Sequence, residues 1–519
     1  MWVVMNGSSA VHWFRKGLRL HDNPALLDAV KNPATRYVLP VFCLDPVFLQ
    51  PELVGVNRIQ FLLECLQDLD RQLRQRRSRL FVLRGDPLEQ FPAFFRRYKT
   101  TLLTYEFDTE PYAKHRDERV RQLCTDLGID VRTRATHTLY DPELVRCKLG
   151  ERPTPLTYKS FYSFVTGTLG RPPASMPAPT TADDDIHTPD IELDAYKVPT
   201  LAELRAYDGL SVTTSFRGGE TEALAIMERF LTERQADVRA FSKPQTSPTA
   251  WPKASTTQLS PYFKFGCLSP RLFIERVQEL HPLEEPPVSL IGQIWWREFF
   301  TYVAYVTPNF HQMRGNRICR QISWREDRDD PLYRAWEEAR TGYPWIDACM
   351  TQLRKEGWLH HLARHAVACF LTRGDLWVSW ERGRETFDRL LVDADYSLNS
   401  ANWLWLSCSA FFHQYYRVYS PIGFPQKYDP NGDFVRHFLP VLREMPAKYI
   451  YTPWEAPLAV QRKAHCIIGE DYPSPIVDHA TASRENMERM RKAVSESGPQ
   501  RPPKRKRDDT GASTSSPIP

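Results

Sequence analysis

The chain has 519 residues, 42% of them hydrophobic and 25% charged, with ten cysteines and a formal net charge of +5. At roughly 100–200 residues per domain, that length predicts two or three domains, and the apolar content excludes a wholly disordered chain. No uncharged apolar run approaches the ~18 residues of a membrane span, the opening Met1–Gly17 lacks a signal-peptide pattern, and the cysteines contain no CxxC pair, so membrane-spanning, secreted, disulfide-scaffold and zinc-module readings are set aside. Arg491–Pro519 carries +4 of the charge, which leaves +1 for the body. A nearly neutral body does not mark a broad nucleic-acid surface, so contact with DNA requires a local groove.

Short apolar runs at Ala10–Phe14, Tyr37–Leu44, Arg79–Leu83, Leu102–Tyr105 and Ile129–Val131 alternate with helical patterns. One such pattern is the apolar face Ile59, Leu62, Leu63, Leu66, Leu69 and Leu73. The alternation predicts a Rossmann-like α/β domain with a parallel sheet over residues 8–140, with ligands at the carboxyl ends of its strands. Neither GxGxxG nor GxxxxGK[ST] is present. Residues 141–215 read as an interdomain linker, most plainly over the proline-rich Gly170–Thr200. From about Thr221 the signals are helical, which predicts a large all-α domain over 216–493, broken at punctuation such as Gly342-Tyr-Pro344 and Gly374-Asp375. Residues 494–519 read as a disordered basic tail.

Several clusters carry candidate chemistry. Ser255-Thr-Thr-Gln-Leu-Ser260-Pro261 is a helix-start signal whose hydroxyls either cap the helix or hold a phosphate. Gln293-Ile-Trp-Trp296-Arg297-Glu298 is either an aromatic core patch or a clamp that stacks on and pins a planar ligand. His361 and His365 are four apart on a helical stretch and share a face. They are a metal pair lacking an evident third ligand, satisfied structural histidines, or proton donors facing a substrate. Asp393, Asp395 and Asn399 precede an aromatic run. They are a polar loop between helices, or a buried set in which Asp393 pairs with Arg364 and Asn399 meets a heteroaromatic ring. Twelve of the fourteen tryptophans fall from Trp251 onward. They serve as core of the helical domain, or, through Trp324, Trp377, Trp380 and Trp403, as an electron relay.

Taken together, these segments resemble the cryptochrome/photolyase family. His12-Trp-Phe-Arg15-Lys-Gly-Leu-Arg-Leu-His-Asp22-Asn23 looks like its first strand and turn, and Gly342-Tyr-Pro-Trp-Ile-Asp347-Ala-Cys-Met350 with Gly357-Trp358-Leu-His360 like its central signature. The resemblance runs from about Ala10 to Ala493 and leans to the animal-type (6-4) photolyases. His361 and His365 stand where bacterial-type cyclobutane-dimer photolyases carry Asn and Met, and Gln293 where they carry Glu. Animal cryptochromes share both histidines, but the segment Ser409-Ala-Phe-Phe-His413-Gln414-Tyr-Tyr-Arg417-Val-Tyr419-Ser-Pro421 looks like the (6-4) photolyase form.

The resemblance implies FAD held by Ser255, Thr256, Thr257, Leu259, Ser260, Gln293, Arg297, Trp358, His361, Arg364, Asp393, Asp395 and Asn399. It implies electron transfer along Trp403, Trp380, Trp324 and Trp377, with His361 and His365 as the catalytic pair. The implied enzyme is a light-dependent carbon–carbon lyase that repairs (6-4) photoproducts in UV-damaged DNA. The flipped-out lesion would meet Gln293, Trp296, Trp405 and Tyr419, with Arg417 and Lys427 on phosphates. The family also implies an antenna chromophore, a deazaflavin or a folate, whose identity the residues leave open. The alternative is a cryptochrome using the same flavin for blue-light signalling or transcriptional regulation, or one chain doing both. Lys504-Arg-Lys-Arg507 reads as a nuclear import signal or as a merely solvated charged tail. A nuclear monomer with no membrane partner is expected.

Overall fold

The computed structural model describes residues 7–179, 186–189, 194–239, 241, 246–250, 254–280 and 288–496. The basic run Lys504–Arg507, Trp251 and part of the proline-rich segment lie outside the described residues.

Five strands form one parallel sheet: β1 (Ser9–Phe14), β2 (Tyr37–Leu44), β3 (Phe81–Arg84), β4 (Thr100–Glu106) and β5 (Asp130–Arg134). Their spatial order is β3-β2-β1-β4-β5, so the chain reverses direction between β1 and β4. Strand alternation gives the sheet two different faces. Val11 and Trp13 of β1 join a separate core with Phe91, Phe94 and Val120. Ala10 and Phe14 join the main core, which continues into the second domain. Helix Val56–Arg74 buries Ile59, Leu63, Leu66, Leu69 and Leu73 of the expected apolar face, with Leu62 at its edge.

The segment 141–215 departs from the linker reading. It carries helices Pro142–Leu149 and Tyr158–Leu169, and Phe161 and Val165 are fully buried. Phe161 packs on Phe299 and Tyr302 at ring distances of 5.7 and 5.4 Å. Its flanking prolines read as punctuation, yet Pro153 and Pro155 precede the second helix, whose side chains gain a core partner.

From Glu220 onward the second domain is helical, and its only β pairing among the described residues is two isolated bridges. The domains are joined by buried polar contacts. Arg19 donates to the carbonyl of Gly266 at 2.8 Å, Arg271 pairs with Asp22 at 2.8 Å, and Glu298 accepts the backbone N–H groups of Leu139 and Tyr140. Gly17 and Gly266 meet backbone to backbone at this junction; a Cβ on Gly266 would lie 2.2 Å from the nitrogen of Gly17. Both have positive φ, so no other residue fits either position without strain. All ten cysteines are free thiols, and no described helix is long and apolar enough to cross a membrane.

Candidate active site

The helical domain encloses a cavity between helices Leu290–Val306, His361–Cys369 and Tyr396–Leu406. Thr256, Thr257, Leu259, Ser260, Gln293, Arg297, Trp358, His361, Arg364, His365, Asp393, Asp395, Asn399 and Trp403 all line it. These residues are spread over almost 150 positions of sequence, and the helix packing brings them together.

One end is rich in hydroxyls. Pro261 starts helix Ser260–Phe265, and the indole N–H of Trp358 donates to Ser260 at 3.3 Å. Thr256 Oγ1 is buried with no hydrogen-bond partner among the described residues. Ser255 differs from the expectation, because it does not line the cavity. Its hydroxyl donates to the carbonyl of Ser247 and accepts that residue's N–H, both at 3.0 Å, which ties the preceding loop in place.

The centre is charged. Arg364 donates to the carbonyl of Leu359 at 2.9 Å and to Asp393 Oδ2 at 2.7 Å, while Asp393 Oδ1 is buried and unpartnered among the described residues. Asp395 caps helix Tyr396–Leu406, with Oδ1 accepting the N–H groups of Ser397 and Leu398 at 3.0 Å each. Asn399 gives both amide protons to protein, one to the carbonyl of Arg384 at 3.0 Å and one to Asp388 at 2.6 Å. Only its carbonyl oxygen remains to bond a ligand, so the amide does not both donate and accept toward a ring as the sequence suggests. Arg297 is held from behind, donating to the carbonyl and Nε2 of His137 at 2.6 Å each. Burial, reinforced by Arg297, keeps His137 well below the usual imidazole range and therefore neutral.

These groups fit FAD. Hydroxyls and an orphaned buried Thr256 oxygen suit its phosphate and ribitol side. Two arginines, two carboxylates and an amide carbonyl suit the edge of a polar aromatic ring.

Trp296 and Trp405, expected at the lesion, do not line this cavity; they stand perpendicular to each other at 5.6 Å, and Phe412 stacks on Trp405 at 5.4 Å. His361 and His365 approach edge to face at 5.8 Å, and the Tyr419 hydroxyl lies 3.1 Å from Nδ1 of His365. The preceding His360 is buried; its Nδ1 accepts the N–H of Leu362 at the helix start, which makes it a structural cap. No group of three His, Cys, Asp or Glu side chains suited to a metal occurs among the described residues. Arg417 and Lys427 are exposed.

Of the four tryptophans, Trp403 lines the cavity, and Trp324 and Trp377 form a ring pair outside it. Trp403 lines the cavity and packs on Gly383, where a Cβ would come within 2.1 Å of its ring. Gly383 lies one turn beyond Trp380 on helix Trp380–Leu390. An isolated bridge between Arg325 and Val378 then sets Trp324 beside Trp377, with ring centroids 4.5 Å apart.

Residues 10–180 match the DNA photolyase family, and residues 290–492 match the FAD binding domain of DNA photolyase. Rat cryptochrome-1 is 51% identical over 495 residues, covering 93% of this chain and 82% of its own. The (6-4)DNA photolyase of Oryza sativa subsp. japonica is 48% identical over 515 residues, covering 95% and 91%. The chain belongs to the photolyase/cryptochrome family. Among solved structures, a bacterial class III photolyase from Agrobacterium tumefaciens superposes with a TM-score of 0.79 at 27% identity, covering 95% of this chain and 98% of its own. A Synechocystis cryptochrome superposes at 0.81 with 25% identity, covering 93% and 100%.

As in its family, the cofactor of this photolyase/cryptochrome protein is FAD. Sequence reasoning missed Gln258, Lys264 and Asn402, which also line the cavity. Gln258 has a φ of +54°, which no motif announces. Lys264 and Ala394 also line a second cavity of about 280 Å³ at the carboxyl ends of β1 and β4. There Lys16 reaches Asp108 at 3.2 Å and Glu110 at 2.5 Å. Burial, with Arg58 nearby, pulls the Lys264 ammonium down to about 7.

Proposed function

We propose that this protein is a light-dependent (6-4) DNA photolyase. The observation that carries the reading is Tyr419, from the segment that looks like the (6-4) photolyase form, set 3.1 Å from Nδ1 of His365, which with His361 lines the cavity that holds the FAD-binding residues. Bound FAD supplies the light-driven electron that opens the lesion. The remaining work falls to the chain. A flipped pyrimidine pair stacks against Trp296 and Trp405, which are half-buried and present aromatic faces. Gln293 donates an amide proton to the carbonyl of Ser289 at 3.1 Å and reads a pyrimidine edge with its carbonyl. His361 delivers the proton that the lesion needs before charge returns. Burial raises Tyr419 above the usual phenol range, so its hydroxyl stays protonated and can donate to Nδ1 of His365 or accept from it. That hydrogen bond holds the His365 ring in place. Arg417 and Lys427 hold flanking phosphates.

The second cavity, at the reversal point of a parallel sheet, is a site for an antenna chromophore. A structural relative, the archaeal photolyase of Sulfolobus tokodaii, holds two FAD molecules, with the implication of a novel light-harvesting cofactor.

A second reading is a blue-light cryptochrome, favoured by the 51% identity to cryptochrome-1. One experiment separates them. The protein, reduced under blue light, is given an oligonucleotide with one defined (6-4) photoproduct, and a cyclobutane dimer as control. Recovery of the parent bases from the first substrate alone is expected. Unchanged lesions alongside normal flavin photoreduction would move the assignment to the cryptochrome.

A further inference from the structure

The outer end of the tryptophan path opens on a feature that flavin binding and lesion repair do not use. A cavity of about 830 Å³ lies between the 319–325 segment and helix His479–Glu496, with Trp377 in its wall. Arg320, Arg325, Arg489 and Lys492 line it, against the single carboxylate of Glu496. Asp330 neutralises Arg325 at 2.7 Å, and Glu496 lies 3.9 Å from Lys492. Arg489 and Arg320 have no carboxylate partner among the described residues. Arg489 donates to the side-chain oxygen of Asn486, and Arg320 to the carbonyl of Cys408 and to His413.

Trp377 is held there deliberately. Its φ is +56°, a conformation costly for a bulky residue, and its N–H bonds the carbonyl of Thr372 at 2.9 Å to maintain it. Its indole N–H donates to the carbonyl of Ser323 at 2.9 Å, whereas that of Trp324 is buried with no partner among the described residues. The hydrogen bond to Ser323 stabilises charge on an oxidised Trp377, and Trp324 has no such bond among the described residues, which favours a hole on Trp377. An amide carbonyl is too weak a base to take the indole proton, which passes to solvent water in the cavity. Arg489 lies 5.5 Å from the centre of the Trp377 ring. That guanidinium, with Arg320 and Lys492, attracts an anion into the cavity beside the ring.

We propose that this cavity binds a small organic anion that reduces Trp377, an enediolate of the ascorbate class. The inference rests on the reading of the tryptophans as the route by which FAD is photoreduced. The oxidant is the neutral Trp377 radical left after the indole proton has gone. The monoanion of the enediolate gives up one hydrogen atom, an electron with a proton. Trp377 regains its N–H, and the donor leaves as its radical anion.

The test uses the full chain with FAD bound. Flash excitation generates the tryptophan radical, and its decay is followed against rising ascorbate and, separately, against neutral hydroquinone. Ascorbate is expected to give a decay rate that saturates, and hydroquinone one that rises linearly. Arg489 and Lys492 are exposed, so Arg489→Glu and Lys492→Glu leave the core intact. Each should slow the ascorbate reaction roughly tenfold and leave the hydroquinone rate within about twofold. A linear ascorbate dependence unaffected by either variant overturns the proposal. A flavin-independent readout is iodide quenching of tryptophan fluorescence in wild type, Trp377→Phe and Arg489→Glu. The wild type is expected to show an iodide-sensitive fraction that both variants lose, and no difference among the three overturns the site. If Trp377→Phe leaves radical yield and lifetime unchanged while the iodide result holds, the cavity binds anions but the route through Trp377 is wrong, and the proposed electron donation fails with it.

Discussion

The hydroxyl of Tyr419 stands 3.1 Å from Nδ1 of His365, and the ring of His365 stands edge-on to His361 at 5.8 Å. Tyr419 thus anchors the His365 ring beside His361. His361→Ala is expected to lower (6-4) repair, measured per bound FAD, by about a hundredfold or more, the usual scale for a lost proton donor. Tyr419→Phe should keep repair but alter its pH profile, because His365 loses the hydroxyl bonded to its ring nitrogen. Repair by His361→Ala at the wild-type rate would remove it from the role of donor.

Arg364 and Asp393 form a pair that is a quarter exposed on one side and nearly buried on the other, with side-chain exposures of 24% and 3%. Asp393→Asn leaves Arg364 without its charge partner. The expected cost is about 1–3 kcal/mol of stability, moderated by solvent at the arginine. FAD content on purification should fall as well. Unchanged flavin stoichiometry and unchanged melting would show that the pair does not organise the cavity.

Trp380→Phe should keep the fold, because the small cavity it leaves at this buried position costs on the order of 1–3 kcal/mol, less than truncation to Ala. Photoreduction of oxidised FAD is expected to drop severely. Repair should persist when the flavin is reduced chemically with dithionite. Photoreduction at the wild-type rate would show that the hole does not pass through this ring.

What the sequence made legible follows its physical signals. Strand–helix alternation located all five strands within a few residues; four are buried, largely apolar runs, whereas β5 (Asp130–Arg134) is polar and exposed, and only the short run Ile129–Val131 at its start signals it. The helix at Val56–Arg74 was announced by its apolar face. The helices at Pro142–Leu149 and Tyr158–Leu169 were hidden, because Gly/Pro spacing around them signals a linker and their core partners lie on helix Leu290–Val306, far along the chain. At the site, the family motifs picked out most of the cavity wall. Ser255 was misplaced and Gln258 missed, because which of several consecutive polar residues points inward depends on a backbone turn at positive φ. The commitment of both Asn399 amide protons to Arg384 and Asp388 depends on how two helices face one another, which no local pattern encodes.

The run Lys504–Arg507 is proposed as the nuclear import signal, and the test separates address from chemistry. Deleting Pro502–Arg507 should move a fluorescent fusion from nucleus to cytoplasm and leave repair by the purified protein unchanged. Nuclear accumulation of the deletion variant would refute the assignment.

Glu298 gives a pH dependence whose sign is fixed. It is buried at the domain junction, and burial raises its carboxyl to about 7, against the opposing effect of the two backbone N–H groups it accepts. Between its unfolded value of 4.5 and about 7, the native protein therefore holds a proton that the unfolded chain has released. Stability contributed by this group is present at low pH, declines as pH rises through that window, and is level above it. The change is on the order of 3 kcal/mol at most, from the energy of one pKa unit. Glu298→Gln cannot titrate, so its denaturant midpoint should lose this slope between about pH 5 and pH 7 while sharing any dependence from other groups. Parallel midpoint-against-pH curves for wild type and variant would show that Glu298 stays ionised across the range, with Leu139 and Tyr140 outweighing burial.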